Sequence, residues 1–415
     1  MADLLWPGDE RACEVFTDAA LLHGLVAVEQ AWLDVLVDRG IAPPQARRDL
    51  TSLVTSADVT LVATRAEASG NPLVPLLTLL RERGGRPVTE PGRWVHRGLT
   101  SQDVVDTALV LGARTATRQL LGDLDRQVAA LAALAHRHRD DLMAGRTLTQ
   151  HAVPISFGLK AAQWLQGVLD ARDALRGLRF PVQVGGAAGT LAAVAELAGG
   201  PDAALSLVDD VARSLGLAAA APWHTVRTPL TAYADALVRT TDALGHVAND
   251  VLLLARPEVG ELAEPALAGR GGSSTMPQKA NPVLSVLVRR AALAAPALGA
   301  QLHLAAAEAV DERPDGGWHT EWATVATLSR RTLVAASQAA ELLEGLHVDT
   351  TRMAALVRER SSALLAERRS IRELTDPPAG STQARAEDDL DPAHYLGATA
   401  RIIDQVLARA REETP

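Results

Sequence analysis

Apolar residues recur along this chain at three-four spacing over long stretches, the period of a helix, while the period-two alternation of a half-buried strand is nearly absent. The fold class read from this pattern is all-α. The clearest run passes through Leu230, Tyr233, Leu237, Leu244, Val247, Val251 and Leu254, with Thr240 filling the one missing seam position. It starts after Thr228-Pro229 and is too long for an ordinary globular helix, so it predicts a helical bundle or a face shared between subunits. A second run extends from Thr107 to His138 through Leu120, Leu124, Val128, Leu131 and Leu134. A third follows Asn281-Pro282 and is expected to kink at Pro296. A fourth runs from near His319 to Leu343, and a last helix is expected over residues 392–411, after a Pro-, Gly-, Ser- and acid-rich loop from Thr375 to Asp391. These elements group into a three-part plan: an N-terminal helical domain over 1–106, a central bundle of long helices over 107–345 and a small C-terminal helical part over 346–415.

With 47% hydrophobic residues in 415, the chain can bury a large core without staples. Its single cysteine, Cys13, excludes an internal disulfide and a multi-cysteine metal site; this fits a reducing compartment, and the cytoplasm is the default expectation. The first residues carry no basic stretch followed by an apolar one, and apolar runs such as Val251 to Ala255 are short, so neither a secretory signal nor a membrane span is expected. A net charge of -9 with interspersed signs offers no basic stripe for nucleic acid. Of 41 Lys and Arg residues only Lys160 and Lys279 are lysines. A lysine kept against such a bias points to a position that wants a compact ammonium on a flexible stem.

Four polar or glycine-rich segments interrupt the helical pattern. Arg270-Gly-Gly-Ser-Ser-Thr-Met-Pro-Gln-Lys-Ala-Asn-Pro282 combines a permissive backbone with a proline placed for the first turn of the next helix. Its backbone N–H groups, hydroxyls, Lys279 and Asn281 can converge on a carboxylate, or the segment is a surface loop that caps a helix. It lacks the spacing of a phosphate-cradling P-loop. His96-Arg-Gly-Leu-Thr-Ser-Gln-Asp103 precedes an apolar helix; Thr100 or Ser101 suffices to cap it, and His96, Arg97 and Gln102 are polar groups beyond what a cap needs. Thr147-Leu-Thr-Gln-His151 is the third, where a lone histidine is more often structural than functional. The fourth, Gly185-Gly-Ala-Ala-Gly189, does not follow a strand and so is no dinucleotide fingerprint. No histidine pattern of metal-ligand spacing is present, which disfavours metal catalysis.

Together these segments resemble, in order and spacing, the signature regions of the fumarase/aspartase superfamily. Gly272-Ser-Ser-Thr-Met-Pro-Gln-Lys-Ala-Asn281 is similar to that family's Gly-Ser-Ser-x-x-Pro-x-Lys-x-Asn loop. The segments His96–Thr107, Gly145–Pro154 with Phe157–Lys160, Gly185–Thr190, Trp318–Trp322 and Leu390–Gly397 are similar to the 3-carboxy-cis,cis-muconate cycloisomerase branch.

The resemblance implies a homotetramer with active sites shared between subunits, a small polycarboxylate substrate, and no metal or organic cofactor. Carried over by position, Ser273 and His151 are the catalytic residues: Ser273 moves the proton on the carbon α to a carboxylate, and His151 orients the substrate. Lys279 and Asn281 would hold the carboxylate on which charge develops. His96, Thr100, Ser101, Gln150, Ser274, Thr275 and Met276 complete the substrate-binding set. The implied reaction is lactonisation of 3-carboxy-cis,cis-muconate to 4-carboxymuconolactone in protocatechuate degradation by the β-ketoadipate pathway. The alternatives are a β-elimination lyase on a substituted succinate of the adenylosuccinate, argininosuccinate or nitrosuccinate type, and a non-catalytic structural homologue. Gln278 and Ala280 stand where this branch more often has His and Arg, and the stretch 363–391 is short for the family's C-terminal domain.

Overall fold

The computed structural model describes residues 3–84, 90–267, 269–272, 275–276, 279–375 and 391–412. Its long helices are Asp18–Asp38, Ser101–Arg137, Phe157–Arg176, Thr228–Leu254, Val283–Ala307 and Gly316–Glu344. The all-α reading holds, with two small antiparallel ladders added. The apolar period located the Thr228–Leu254 helix to within two residues, whereas the Ser101–Arg137 helix starts six residues before the seam and takes in the polar Ser101–Asp106 stretch. Val283–Ala307 continues through Pro296 as one helix. The last expected helix is a short 3-10 turn, Pro392–His394, followed by Thr399–Glu412; most of the loop expected before it lies outside the described residues.

The chain divides into two compact units. The first comprises Met1–Leu120, Leu175–Val238 and Ala294–Val334. Its core includes a large apolar cluster to which the Asp18–Asp38 helix contributes Leu22, Leu25, Val26, Trp32, Leu33 and Leu36. Thr17 caps that helix by accepting the Ala20 N–H. At the edge of this core Asp58 receives both Arg83 guanidinium nitrogens, at 2.7 and 2.8 Å, and the Thr55 N–H at 2.9 Å. Arg83, and then the Thr55 N–H, bring the Asp58 carboxyl down from 3.8 to about 2. The folded value lies below the unfolded one, so this contribution is complete above about pH 4 and is lost as pH falls towards about 2. Urea titrations of Asp58→Asn should show a deficit against the unsubstituted protein at about pH 6 that narrows by about pH 2.5.

The second unit comprises Leu121–Ala174, Arg239–Leu293 and Ala335–Pro415. Here Gly245 lets two helices meet closely: a Cβ at this position would sit 2.6 Å from the Cβ of Ala292. The strands Leu142–Thr147 and Gln150–Ser156 form a hairpin with Thr147 opposite Gln150 and Arg146 opposite His151. The bidentate pair of Arg146 with the buried Glu261, at 2.8 and 2.9 Å, ties this hairpin to the segment that leads into the signature loop. That segment in turn forms the second ladder, Leu262–Ala263 against His347–Val348.

Two described helices, Asp18–Asp38 and Val283–Ala307, are long and apolar enough to cross a membrane by length and composition, unlike the short runs weighed from the sequence. The first is largely turned into the core of its unit. The second leaves Val286, Leu293 and Leu304 exposed.

Candidate active site

The segment from His96 to Asp106 is held by buried carboxylates. Asp103, fully buried, accepts N–H bonds from Thr100, Gly185 and Gly186 at 2.9, 2.9 and 3.0 Å, and lies 2.8 Å from His224 Nε2. One side chain thus starts the Ser101–Arg137 helix and pins the glycine turn at 185–189 beside it. The Thr100 hydroxyl is not spent on capping: it accepts from Arg313, which also donates to the Ala187 carbonyl at 3.1 Å. One turn further on, Asp106 receives Arg227 in bidentate fashion at 2.7 and 3.0 Å and the Trp318 indole N–H at 2.9 Å. Glu321 takes the other edge of the same guanidinium at 2.6 to 3.1 Å. All three charged groups are buried. Burial opposes the Arg227 charge, but Asp106 and Glu321 outweigh it and hold the proton above the usual arginine range. Burial pushes the Glu321 carboxyl up, partly offset by Arg227.

In the second unit, Gln150 and His151 are both exposed and sit directly after the hairpin turn. The turn is made by Leu148 and Thr149 at φ 48° and 72°. Two consecutive left-handed positions are the geometry of a type I′ turn, which favours Asn-Gly; a leucine and a β-branched threonine hold it under strain. Strain of this kind collects where a local geometry is functionally required. Leu148→Asn combined with Thr149→Gly should therefore raise unfolding stability by roughly 1–2 kcal/mol. It should leave the placement of Gln150 and His151, and with it kcat/KM, within about threefold, because Asn-Gly adopts the same backbone without strain. Denaturant unfolding and steady-state kinetics on the same preparation check both.

The signature loop has a closed neck. The N–H and the Nδ2 of Asn281 both donate to the Gly271 carbonyl at 2.9 Å. Gly271, at φ +71°, could carry no Cβ there, since one would lie 2.5 Å from the Asn281 carbonyl oxygen. Arg270 anchors the loop's entry on Glu341 at 2.6 Å. At its exit Glu264 accepts the N–H groups of Leu284 and Ser285 at 3.0 and 2.7 Å. Those helix N-terminal donors, just past the Arg270–Pro282 segment whose own N–H groups the sequence offered to a carboxylate, are occupied by the protein's own acid. Thr275, Met276 and Lys279 are exposed. Ser273 and Ser274, like Gln278, lie outside the described residues.

The structure therefore brings His96, Thr100 and Ser101 together in the first unit, and places Gln150, His151, Thr275, Met276, Lys279 and Asn281 in the second. Sequence reasoning did not find Asp106, Arg227, Glu261, Glu264, Arg313 or Glu321; none belongs to a local period, and their partners are remote in sequence. Among the described residues no group of three or more His, Cys, Asp or Glu is placed to hold a metal ion.

Residues 56–296 match a protein-family profile described as a lyase. The chain belongs to the fumarase/aspartase family of lyases. The chain is 39% identical to nitrosuccinate lyase of Streptomyces davaonensis, over 96% of its own length and 92% of that protein's. It is 37% identical to 3-carboxy-cis,cis-muconate cycloisomerase of Pseudomonas aeruginosa, over 95% and 93% of the two chains. The solved 3-carboxy-cis,cis-muconate lactonizing enzyme of Pseudomonas putida superposes on this chain with a TM-score of 0.86 at 30% identity, covering 97% of each chain.

Proposed function

We propose that this family member is a 3-carboxy-cis,cis-muconate cycloisomerase, acting in protocatechuate breakdown. The observation that carries this reading is the whole-length fold match to a muconate-lactonizing enzyme. It is supported by the Trp318–Trp322 segment, whose Trp318 and Glu321 build the buried network beneath residues 96–106. One carboxylate of the substrate attacks its own double bond, and the π electrons move onto a second carboxylate as an aci-carboxylate. Ser273 then delivers its proton to the α carbon and regains one from solvent. The nucleophile is already ionised, so His151 is needed to orient the substrate rather than to activate it. The exposed ammonium of Lys279, with Asn281, answers the charge that develops on the aci-carboxylate. His96, Thr100, Ser101, Gln150, Ser274, Thr275 and Met276 hold the remaining carboxylates and the carbon skeleton.

The exposed Val286, Leu293 and Leu304 on one helix support a homotetramer in which such faces pair and sites are shared. Light scattering after size exclusion tests the assembly.

A second reading, a lyase that releases fumarate from a substituted succinate, is favoured by the identity to nitrosuccinate lyase. The two are separated by mixing purified protein with 3-carboxy-cis,cis-muconate and following the diene absorbance, with nitrosuccinate and other substituted succinates run in parallel and chelator present. Rapid loss of the diene with lactone formed is expected. Fumarate release without diene loss would move the protein to the second reading and keep the Ser273 chemistry.

A further inference from the structure

Glu29 lies in the Asp18–Asp38 helix among Leu25, Val26, Trp32 and Leu33, and is fully buried. A carboxylate taken out of water is costly unless every lone pair is answered, and packing alone would select an apolar side chain here. Glu29 is answered on one side only. Its Oε1 lies 2.6 Å from His96 Nδ1, while Oε2 has no hydrogen-bond partner among the described residues. One turn along the same helix face, Trp32 donates its indole N–H to the Arg97 carbonyl at 2.7 Å. The Trp32 ring also packs beneath Gly98. His96 itself sits at φ +66°, a left-handed position uncommon for a side chain of this kind, and Gly98 at φ +87°. A single helix thus fixes both the backbone of this turn and the ring that it carries.

We propose that Glu29 is a positioning residue that acts through His96, holding the imidazole by Nδ1–H so that Nε2 is presented to a carboxylate of the bound polyacid. With Nδ1 fixed on Glu29, Nε2 is the ring atom left to meet a ligand, and a hydrogen bond from it to a carboxylate is of the strong, charge-assisted kind. Nε2 forms no hydrogen bond with the described residues. The pairing is the carboxylate–histidine arrangement that orients imidazoles elsewhere in protein chemistry, here turned towards a ligand carboxylate. The proposal rests on the reading that His96 meets the substrate.

Glu29→Met keeps the volume and removes the charge but leaves His96 Nδ1 without its partner, so a lowered urea midpoint is expected, and the kinetic split and the ring-nitrogen NMR separate positioning from mere stability. KM for whichever polyacid the unsubstituted enzyme turns over should increase by about tenfold or more, with kcat changed by less than about threefold. His96→Asn should give the same split, and the double variant should be no worse than His96→Asn alone. An unchanged KM in Glu29→Met, or a double variant showing the product of the two single effects, overturns the proposal. Ring-nitrogen NMR on the unliganded protein reads the pair without any substrate: a protonated Nδ1 at His96 that is altered in Glu29→Met is expected, and a bare Nδ1 overturns it. An unsubstituted protein inactive on every polyacid would refute the functional reading, and the positioning role with it. An active enzyme whose Glu29→Met variant keeps its KM would refute the positioning role alone.

Discussion

Replacing Ser273 with alanine is expected to reduce turnover by about a thousandfold or more, while thermal unfolding and substrate affinity change little. In the proposed lactonisation the charge placed on an aci-carboxylate is quenched by a proton on carbon, and Ser273 is the group assigned to deliver it. The described anchors of the loop, Asn281 on Gly271, Arg270 on Glu341 and Glu264 on the following helix, do not involve the serine hydroxyl. Folding should therefore survive its loss. Single-turnover measurements at saturating substrate check the prediction; a variant within about tenfold of the unsubstituted rate would remove Ser273 from the chemistry and leave the family assignment intact.

The second large effect is expected at Arg227. Arg227→Met leaves Asp106 and Glu321 buried without their shared cation, and losing one partner of a buried pair costs roughly 3–5 kcal/mol. The deficit should depend on pH in a definite direction. Burial already raises the Glu321 carboxyl above the ordinary carboxylate range, so the folded protein holds this proton more tightly than the unfolded chain and is penalised as pH rises through that window. Without the guanidinium the penalty grows. Urea unfolding of the variant should show a larger loss at about pH 8 than at about pH 5. Equal losses at both would mean that the two acids are neutralised by other groups. Since Asp106 also receives Trp318 and lies in the segment that carries Thr100 and Ser101, residual activity should fall along with stability.

The long helices were legible because a seam such as Leu230 to Leu254 repeats the same local rule many times, and averaging over seven positions suppresses noise. The hairpin at 142–156 was not, because its turn uses Leu148 and Thr149 rather than the Asn or Gly that announce such a turn. Within the site, the signature loop could be found because its residues are contiguous. The groups that hold the neighbouring segments could not: Arg227 meets Asp106 from 121 residues away and Glu321 from 94. Asp103 shows the intermediate case, recognisable as part of a polar cluster but not as the acceptor that joins Thr100 to the glycine turn. Asn281, read as a substrate ligand, spends one of its two amide N–H donors on the neck of the loop and keeps the other for a ligand.

The scarcity of lysine gives the molecule an unusual chemical address. Lys160 is held 3.1 Å from Asp250 and lies over the Trp164 ring, whereas Lys279 is exposed within the signature loop. A mild amine-reactive reagent therefore meets one accessible side-chain amine, at the place where substrate charge is expected to gather. Acylation of Lys279 should silence the enzyme and a bound polyacid should shield it, so that, with the terminal α-amine blocked first, a dye carried by the same linkage would report occupancy of the loop without any engineered handle.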